Sequence, residues 1–259
     1  MKRAISWITV FAVALSISSV AHAQAKGRIT LLAPNPLKKE IDEIIKSFEQ
    51  KTGYSVDATY GSGVGTRQTV AEGKALDVTL LFAPFDDALK TGNVDKGTQT
   101  VVAQVRLGLA VKEGTPSPNI SNEAAVKKLL LNAKSISTVD PDKGSVGGAA
   151  MLALDHMGIT DQVKPKLKLY PTGGGPQESV KAGDTEIAVG PYMSDYPESH
   201  PGLNLVGALP PDAAPPIDIT GWIATKVEDR KAALELLNYF KSADANAIWK
   251  AAKVYTVTK

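Results

Sequence analysis

The amino-acid sequence predicts an α/β protein built from two discontinuous α/β domains that are joined by crossover strands. Three observations predict this fold class. Short apolar strands alternate with amphipathic helices, glycine-rich loops lead from several strands into helices, and two long strand candidates, 101–111 and 217–225, separate two such halves. Strands that alternate with helices favour mainly parallel sheets covered by helices.

The first strand and helix have the clearest pattern. "RITLLA" (28–33) is a short apolar run, and the stretch after it places apolar residues on one helical face. These residues are Leu37, Ile41, Ile44, Ile45 and Phe48. Asn35 is a suitable N-cap, Pro36 fits the first helical position, and Gly53 is placed to end the helix.

The remaining elements follow the same order. In the first half, "YSVDATY" alternates as a strand, the loop "YGSGVGT" leads into a helix that ends near Glu72, and "LDVTLLF" is the next strand. In the second half, the strands "SISTVD", "KLKLY", "TEIAVG" and "LNLVGAL" are separated by helical or glycine-rich stretches. Two closing helices are expected to return to the first half. We therefore predict domain one at 27–104 plus 220–259 and domain two at 105–219.

The N-terminal segment has the pattern of a secretory signal peptide. Lys2 and Arg3 precede an apolar run, and "AHA" at 21–23 provides the small residues that a signal peptidase requires. The apolar run is short for a membrane span, which disfavours an uncleaved anchor. We predict a signal peptide at 1–23, cleavage after Ala23, and a soluble periplasmic protein without stable membrane insertion.

Charge and composition exclude several functional classes. The formal net charge of the whole chain is +2, and it falls to about zero without Lys2 and Arg3, so no footprint for nucleic acid is present. The chain has no cysteine, which excludes disulfides, thiolate zinc sites and cysteine nucleophiles. We expect no cofactor.

Catalytic and metal-binding patterns are also missing from the sequence. His22 belongs to the predicted signal peptide, and neither His156 nor His200 lies in a known catalytic motif. The acidic pair Asp86–Asp87 is expected to start a helix, and Asp140/Asp142 either lines a cleft or is explained equally well by turn chemistry. We therefore predict a protein that is not an enzyme and holds no metal.

The loop "YGSGVGT" does not meet any nucleotide-binding pattern. Gly61, Gly63 and Gly65 are spaced as G-x-G-x-G, whereas the dinucleotide fingerprint requires G-x-G-x-x-G. A Walker A sequence is absent as well. This loop alone therefore predicts no ligand, and it has to be considered together with the other strand-to-helix junctions.

Four junctions between strands and helices carry Asn, Ser, Gly or Thr. They are "APNPLKK" (33–39), "YGSGVGT" (60–66), "DKGSVGGA" (142–149) and "PTGGGPQ" (171–177). In a parallel α/β sheet such junctions lie at one edge, where ligands bind. Helix N-termini there hold anions through free N–H groups. We predict a ligand cleft between the two domains that binds a small anion.

These stretches resemble the type II periplasmic solute-binding proteins, and most of all the molybdate-binding family. The resemblance extends from "ITLLAPNPLKKEIDEIIKSFEQKTGYSVDATYGSGVG" through "VDPDKGSVGGAAMLALDHMGI" and "AVGPYMSDY" to the closing "NYFKSADANAIWKAAK". It implies the solute-binding component of an ABC importer, which captures an anion and delivers it to an inner-membrane ABC permease. A monomer is expected.

The resemblance also implies individual ligand-binding residues. Ser62 matches the family's serine-rich loop, Tyr192 its tyrosine, and Val146 and Gly147 the start of the helix whose backbone binds the anion. Together with the junction analysis, the predicted ligand-binding set is Asn35, Ser62, Gly63, Ser145, Val146, Gly147, Thr172, Gly173 and Tyr192. Arg67, one helical turn beyond its loop, is either a further donor to the ligand or a solvated or salt-bridged side chain.

The sequence departs from the family pattern at two junctions. Asn35-Pro36-Leu37 stands where the family has Ala-Ser-Leu, so a hydroxyl and an N–H group are missing. The serine run after Ser62 is replaced by Gly63 and Val64. With the glycine-rich "PTGGGP", these changes favour a larger anion, such as an organic carboxylate or phosphate. Molybdate or tungstate is the alternative ligand, and a sensor partner or an enzyme of the same fold is the alternative class.

Overall fold

The computed structural model describes residues 26–193 and 201–256, which form two mixed five-stranded sheets flanked by helices. The predicted signal peptide and His200 lie outside the described residues. The strands are β1 (Arg28–Pro34), β2 (Ser55–Gly61), β3 (Val78–Phe82), β4 (Val94–Val105), β5 (Leu107–Lys112), β6 (Ile136–Val139), β7 (Leu167–Tyr170), β8 (Ile187–Pro191), β9 (Leu203–Ala208) and β10 (Ile217–Ala224). The α-helices are α1 (Lys38–Thr52), α2 (Gly63–Ala71), α3 (Asp86–Lys90), α4 (Glu123–Asn132), α5 (Ser145–His156), α6 (Thr160–Val163), α7 (Gly175–Ala182), α8 (Arg230–Tyr239) and α9 (Ala243–Ala251).

The two sheets have equivalent topologies. The first has the strand order β2-β1-β3-β10-β4 and the second β7-β6-β8-β5-β9. Strand β1 is parallel to β2 and β3, and β6 is parallel to β7 and β8, whereas β10 and β5 are antiparallel to both of their neighbours. Each sheet is therefore mixed: four strands run in one direction, as the expectation of mainly parallel sheets requires, and only β10 or β5 runs in the opposite one. The strands that cross over from the other half supply the antiparallel pairs.

The chain passes between the sheets at two places. The long strand predicted at 101–111 is interrupted at Arg106, because β4 belongs to the first sheet and β5 to the second. The return passage lies at 209–216, between β9 and β10, so the second crossing comes earlier than 217–225. Strand β10 lies in the first sheet over its whole length. The exact division into domains stays a prediction.

Arg106 connects the two crossings. Its guanidinium donates one hydrogen bond to the carbonyl of Leu209, in the return passage, and another, of 3.3 Å, to the hydroxyl of Tyr255. The backbone of Tyr255 in turn pairs with Gln104 through two hydrogen bonds of 2.8 Å. The C-terminal segment therefore holds both crossings together.

Helix α1 begins later than the sequence predicts. Asn35–Leu37 forms a 3-10 turn, α1 follows from Lys38, and the side chain of Asn35 makes no capping hydrogen bond. Asn35 as the N-cap is therefore wrong, because Pro36 sits inside the 3-10 turn instead of starting the α-helix. Gly53 ends α1 as predicted, with a left-handed φ of 78° that glycine adopts without strain.

The C-terminal helices pack on the first half. The ring of Tyr239 meets Phe48 of α1 edge-on at 5.3 Å, and its hydroxyl lies 2.8 Å from the Ser47 Oγ. The indole N–H of Trp249 donates to the carbonyl of Phe240 at 3.0 Å. Within the described ranges, no helix combines the length and the apolar character needed to cross a membrane.

Phe48 provides a test of this packing. Its side chain is fully buried, whereas Leu152 on α5 is 57% exposed. Phe48→Ala should lower the free energy of unfolding by about 3 to 5 kcal/mol because it removes buried apolar contacts and leaves a cavity. Urea unfolding measures this change, and Leu152→Ala serves as the control, with an expected change within about 0.5 kcal/mol. Equal stability of the two variants would contradict the described core.

Candidate functional site

A cavity of about 680 Å³ lies between the two halves of the molecule, and we call it the interdomain cavity. Its described lining from the first half is Asn35, Pro36, Tyr60, Gly61, Ser62, Gly63 and Phe82; from the second half it is Val139, Lys143, Gly144, Ser145, Val146, Pro171, Thr172, Gly173 and Gly174. All of these residues lie at or just after the carboxyl ends of five strands, β1, β2, β3, β6 and β7. The cavity therefore lies at the edge where α/β sheets bind ligands.

The structure brings most of the predicted ligand-binding residues into this cavity. Seven of the nine line it, namely Asn35, Ser62, Gly63, Ser145, Val146, Thr172 and Gly173. Gly147 and Tyr192 are not part of the described lining. A ligand contact of any of the nine stays a prediction.

Ser62 lies at the N-terminus of α2 and lines the cavity. Its Oγ accepts a hydrogen bond of 2.9 Å from the backbone N–H of Gly65, and so it caps α2. The hydroxyl proton is not used in that bond and can point to a ligand. The N–H groups of Gly63 and Val64, in the first turn, have no intrahelical partner. Ser62 therefore has two roles, one in capping the helix and one in lining the cavity.

Ser145 lies at the N-terminus of α5 and also lines the cavity. It is the first residue of α5, its side chain is 4% exposed, and its Oγ has no hydrogen-bond partner among the described residues. A buried hydroxyl without a partner costs about 1 to 3 kcal/mol, so native proteins usually satisfy it. A ligand in the interdomain cavity is a suitable partner.

The two helix termini nearly touch across the cavity. A Cβ atom added to Gly63 would lie 2.5 Å from the Ser145 Oγ, closer than real Cβ atoms come. Only glycine allows α2 and α5 to approach this closely. Their free N–H groups and hydroxyls thus face the same small region from opposite sides.

The third loop, 171–174, is held in place by a chain of buried hydroxyl groups. The Tyr170 hydroxyl donates to Ser179 Oγ at 2.7 Å, Ser179 lies 2.9 Å from Thr185 Oγ1, and Thr185 donates to Ser137 Oγ at 3.0 Å. This chain ties α7 to β6. It fixes the start of α7 next to the cavity without using the side chain of Thr172.

The glycines of this third loop have different roles. A Cβ atom on Gly175 would lie 2.6 Å from the Cβ of Tyr170, so this glycine permits close packing. Gly173 and Gly174 would meet nothing within 4 Å, and both face the cavity. They leave open space where side chains would otherwise narrow the site.

The electrostatic character of the described lining is positive. Lys143 is its charged residue, and no Asp or Glu occurs among the lining residues that the structure describes. Each of the helices α2, α5 and α7 adds the partial positive charge of its N-terminus. The hydroxyl of Tyr60 donates to Asp42, and burial together with this bond raises the pKa of Tyr60 well above its usual value. The hydroxyl of Tyr60 therefore stays neutral, and Tyr60 contributes its ring to the wall of the cavity.

Gly147 and Tyr192 are placed by other contacts. A Cβ atom on Gly147 would lie 2.1 Å from the carbonyl oxygen of Val139, so glycine permits α5 to pack on β6. The backbone N–H of Tyr192 donates to the carbonyl of Arg106 at 2.8 Å, and the ammonium group of Lys253 lies 4.8 Å from the centre of its ring. Tyr192 therefore lies beside the first crossing of the chain.

The remaining candidates have structural partners. Arg67 donates to the carbonyl of Pro84 at 2.6 Å, and its pKa is lowered by burial although Asp87 opposes that change. The Asp140 carboxylate accepts from the backbone of Asp142 at 2.9 Å, as turn chemistry predicts. In the described part of the chain, no group of three or more His, Asp or Glu side chains is arranged to hold a metal ion.

Several lining residues are not in the predicted ligand-binding set. Phe82 and Val139 were assigned to strands, whereas Tyr60 and Lys143 lie in the predicted junctions but were not selected as ligand-binding residues. Their common signal is position, because each lies at the end of a parallel strand or directly before a helix that starts at the cavity. Tyr60 and Lys143 already lie within the junctions 60–66 and 142–149, and adding the last residue of each parallel strand would have included Phe82 and Val139.

Two mixed α/β sheets, linked by two chain crossings with a cavity between them, define a two-lobed ligand-binding protein. Residues 29–252 match the family described as bacterial extracellular solute-binding protein, and the chain belongs to that family. This agrees with the resemblance noted in the sequence.

Curated relatives carry two kinds of name. The chain is 26% identical over 240 residues to an aconitate isomerase from a Pseudomonas species, and the match covers 90% of each chain. It is also 26% identical over 215 residues to the molybdate-binding protein ModA of Escherichia coli, covering 80% of this chain and 82% of that protein. The relatives thus include a binding protein and a protein named as an enzyme.

Solved structures confirm the fold. The periplasmic molybdate-binding protein of Azotobacter vinelandii matches with a TM-score of 0.66 and 17% identity, covering 89% of this chain and all of that one. The sulfate-binding protein SubI of Mycobacterium tuberculosis matches with a TM-score of 0.73 and 19% identity, covering 89% and 87%. At these identities the likeness concerns the fold.

The third loop yields a prediction about stability. Gly175→Ala should lower the free energy of unfolding by about 1 to 3 kcal/mol, because the new methyl group collides with Tyr170 and forces α7 away from its place. Gly173→Ala is the matched control, since its methyl group meets nothing within 4 Å and should change stability little. Chemical denaturation of both variants measures the difference. A Gly175 variant as stable as the control would show that α7 does not pack as described.

Proposed function

We propose that this protein captures a small anion in the interdomain cavity and delivers it to an ABC permease of the inner membrane. In this proposal the chain is exported by its N-terminal signal peptide and works in the periplasm as a monomer, without covalent chemistry. Membership of the extracellular solute-binding family supports the transport role. The relatives named for molybdate and sulfate support an anionic ligand.

One observation carries the proposal. Unpartnered donors from both halves meet at one cavity, and the described lining offers no carboxylate that would repel an anion. Ser145 is central, because its hydroxyl is buried without a partner at the start of α5. A cation or a neutral sugar would leave these N–H groups and this hydroxyl poorly matched.

A ligand screen tests the proposal directly. Thermal unfolding of the purified protein is followed with molybdate, tungstate, sulfate, phosphate and a series of organic acids. A ligand present at 100 times its Kd should stabilise the protein by about 2.7 kcal/mol. If no anion in the screen raises the midpoint, the proposed function is wrong.

Ser145→Ala is the sharpest variant for this site. Loss of an unpartnered buried hydroxyl should leave the stability of the ligand-free protein unchanged or slightly higher, while affinity for the ligand found in the screen falls about 5- to 100-fold. The control is Thr138→Val, because Thr138 is also buried but its hydroxyl donates to the carbonyl of Val189 at 3.1 Å. That variant should lose about 1 kcal/mol of stability. Unchanged affinity of Ser145→Ala would remove Ser145 from the site.

A second candidate function follows from the relative named aconitate isomerase. Isomerisation of an unsaturated tricarboxylate moves a proton between carbon atoms and needs a general base within reach. Lys143 is the ionisable side chain of the described lining that no hydrogen bond or ion pair engages. Proton NMR of cis-aconitate incubated with the protein separates the two functions. Binding without conversion supports the transport role, and catalytic conversion favours the isomerase.

A further inference from the structure

The walls of the interdomain cavity are largely apolar, and they bear on the chemical class of the ligand. This inference rests on the proposed anion-binding function. The rings and aliphatic side chains in the lining are Pro36, Tyr60, Phe82, Val139, Val146 and Pro171. An inorganic oxyanion presents oxygen atoms on every side, and some of these would face carbon without a hydrogen bond, which is unfavourable. An anion with a carbon skeleton can place that skeleton on these walls.

The size of the cavity leads to the same conclusion. Its volume of about 680 Å³ lies within the range of about 300 to 1,000 Å³ that is typical of sites for organic ligands. Gly173 and Gly174 keep the second-half side open, because a Cβ atom added to either residue would meet nothing within 4 Å. The site therefore has room for a carbon chain of several atoms.

The positive charge around the cavity indicates the charge of the ligand. Three helices, α2, α5 and α7, begin at the cavity, and each N-terminus is equivalent to about half a positive charge. With the ammonium group of Lys143, the described lining supplies about 2.5 positive charges. A ligand with two or three negative charges matches this total best.

The donors are also spread around the cavity. Side-chain donors come from four separate loops, at Asn35, Ser62, Lys143 with Ser145, and Thr172. A single tetrahedral group would reach only the donors that converge on one point. Several anionic groups joined by a carbon chain can each reach a different loop.

We propose that the interdomain cavity binds a small organic acid with two or three carboxylates on a short carbon skeleton. One carboxylate is held beside the N-termini of α2 and α5, where Ser62 and Ser145 line the cavity. Lys143 pairs with a second carboxylate, and the skeleton lies on the apolar walls. Lys143 thereby selects polycarboxylates over monocarboxylates.

Isothermal titration calorimetry with defined probes tests the ligand class. The probes are tricarballylate, succinate, acetate, glycerol 3-phosphate, molybdate and sulfate. We expect tricarballylate or succinate to bind at least ten times more tightly than acetate and the inorganic anions. Tighter binding of molybdate, sulfate or glycerol 3-phosphate would overturn the polycarboxylate class and leave the anion-binding function in place. Absence of binding by every probe would contradict that function itself.

Lys143→Gln tests the role of the lysine. The affinity for the best polycarboxylate should fall about tenfold, and the affinity for acetate should change less than threefold. Lys128→Gln is the matched control, because Lys128 is an exposed lysine on α4 outside the cavity lining. Both variants should unfold at the same temperature as the parent protein. Equal loss of both affinities in Lys143→Gln, or no loss at all, would overturn the role of Lys143.

Discussion

The paired crossings of the chain between the sheets are the constraint on which the site depends. Because the chain leaves the first sheet at Arg106 and returns at 209–216, the carboxyl ends of the parallel strands in both halves face one cavity. The helices that follow these strands then begin at that cavity. Arg106 stabilises this geometry, since its guanidinium bonds to Leu209 and Tyr255 and so connects both crossings to the C-terminal segment. Positive potential at the cavity arises from these helix termini together with the side chain of Lys143.

The contact between Gly63 and Ser145 couples binding to the relative position of the two halves. In the arrangement described, the Ser145 hydroxyl is buried and has no described partner, which is unfavourable by about 1 to 3 kcal/mol. Moving the halves apart would let water reach this hydroxyl, whereas a bound anion would satisfy it in place. In the proposed function, a bound anion would therefore favour the closed arrangement over the open one, as hinge closure around a ligand requires. The close approach is possible because residue 63 has no side chain.

The sequence predicts the elements of this fold better than their connections. The face of α1, its end at Gly53 and the alternation of strands and helices follow from local patterns, and the structure confirms them. The break at Arg106 is not evident from the sequence, because 101–111 is an apolar-rich run on both sides of Arg106 and the pairing of β4 and β5 with different sheets is what separates them. Seven lining residues follow from the polar and glycine residues of the junctions together with the family resemblance. The predicted set omits Tyr60 and Phe82, whose rings resemble ordinary strand residues until the opposite lobe is present.

Ligand choice is the property that family membership determines least. A helix N-terminus binds sulfate, molybdate and carboxylate through the same N–H groups, so relatives that share these termini can bind different anions. Selectivity must come from what surrounds the termini. Here Pro36 takes away an N–H group, Asn35 is left free of any capping role, and Gly173 with Gly174 opens space on the opposite side. The junctions have fewer donors than the pattern of the molybdate-binding family, and the cavity has open space and apolar walls. All three features disfavour a compact inorganic oxyanion. They favour an anion whose charges are separated by carbon.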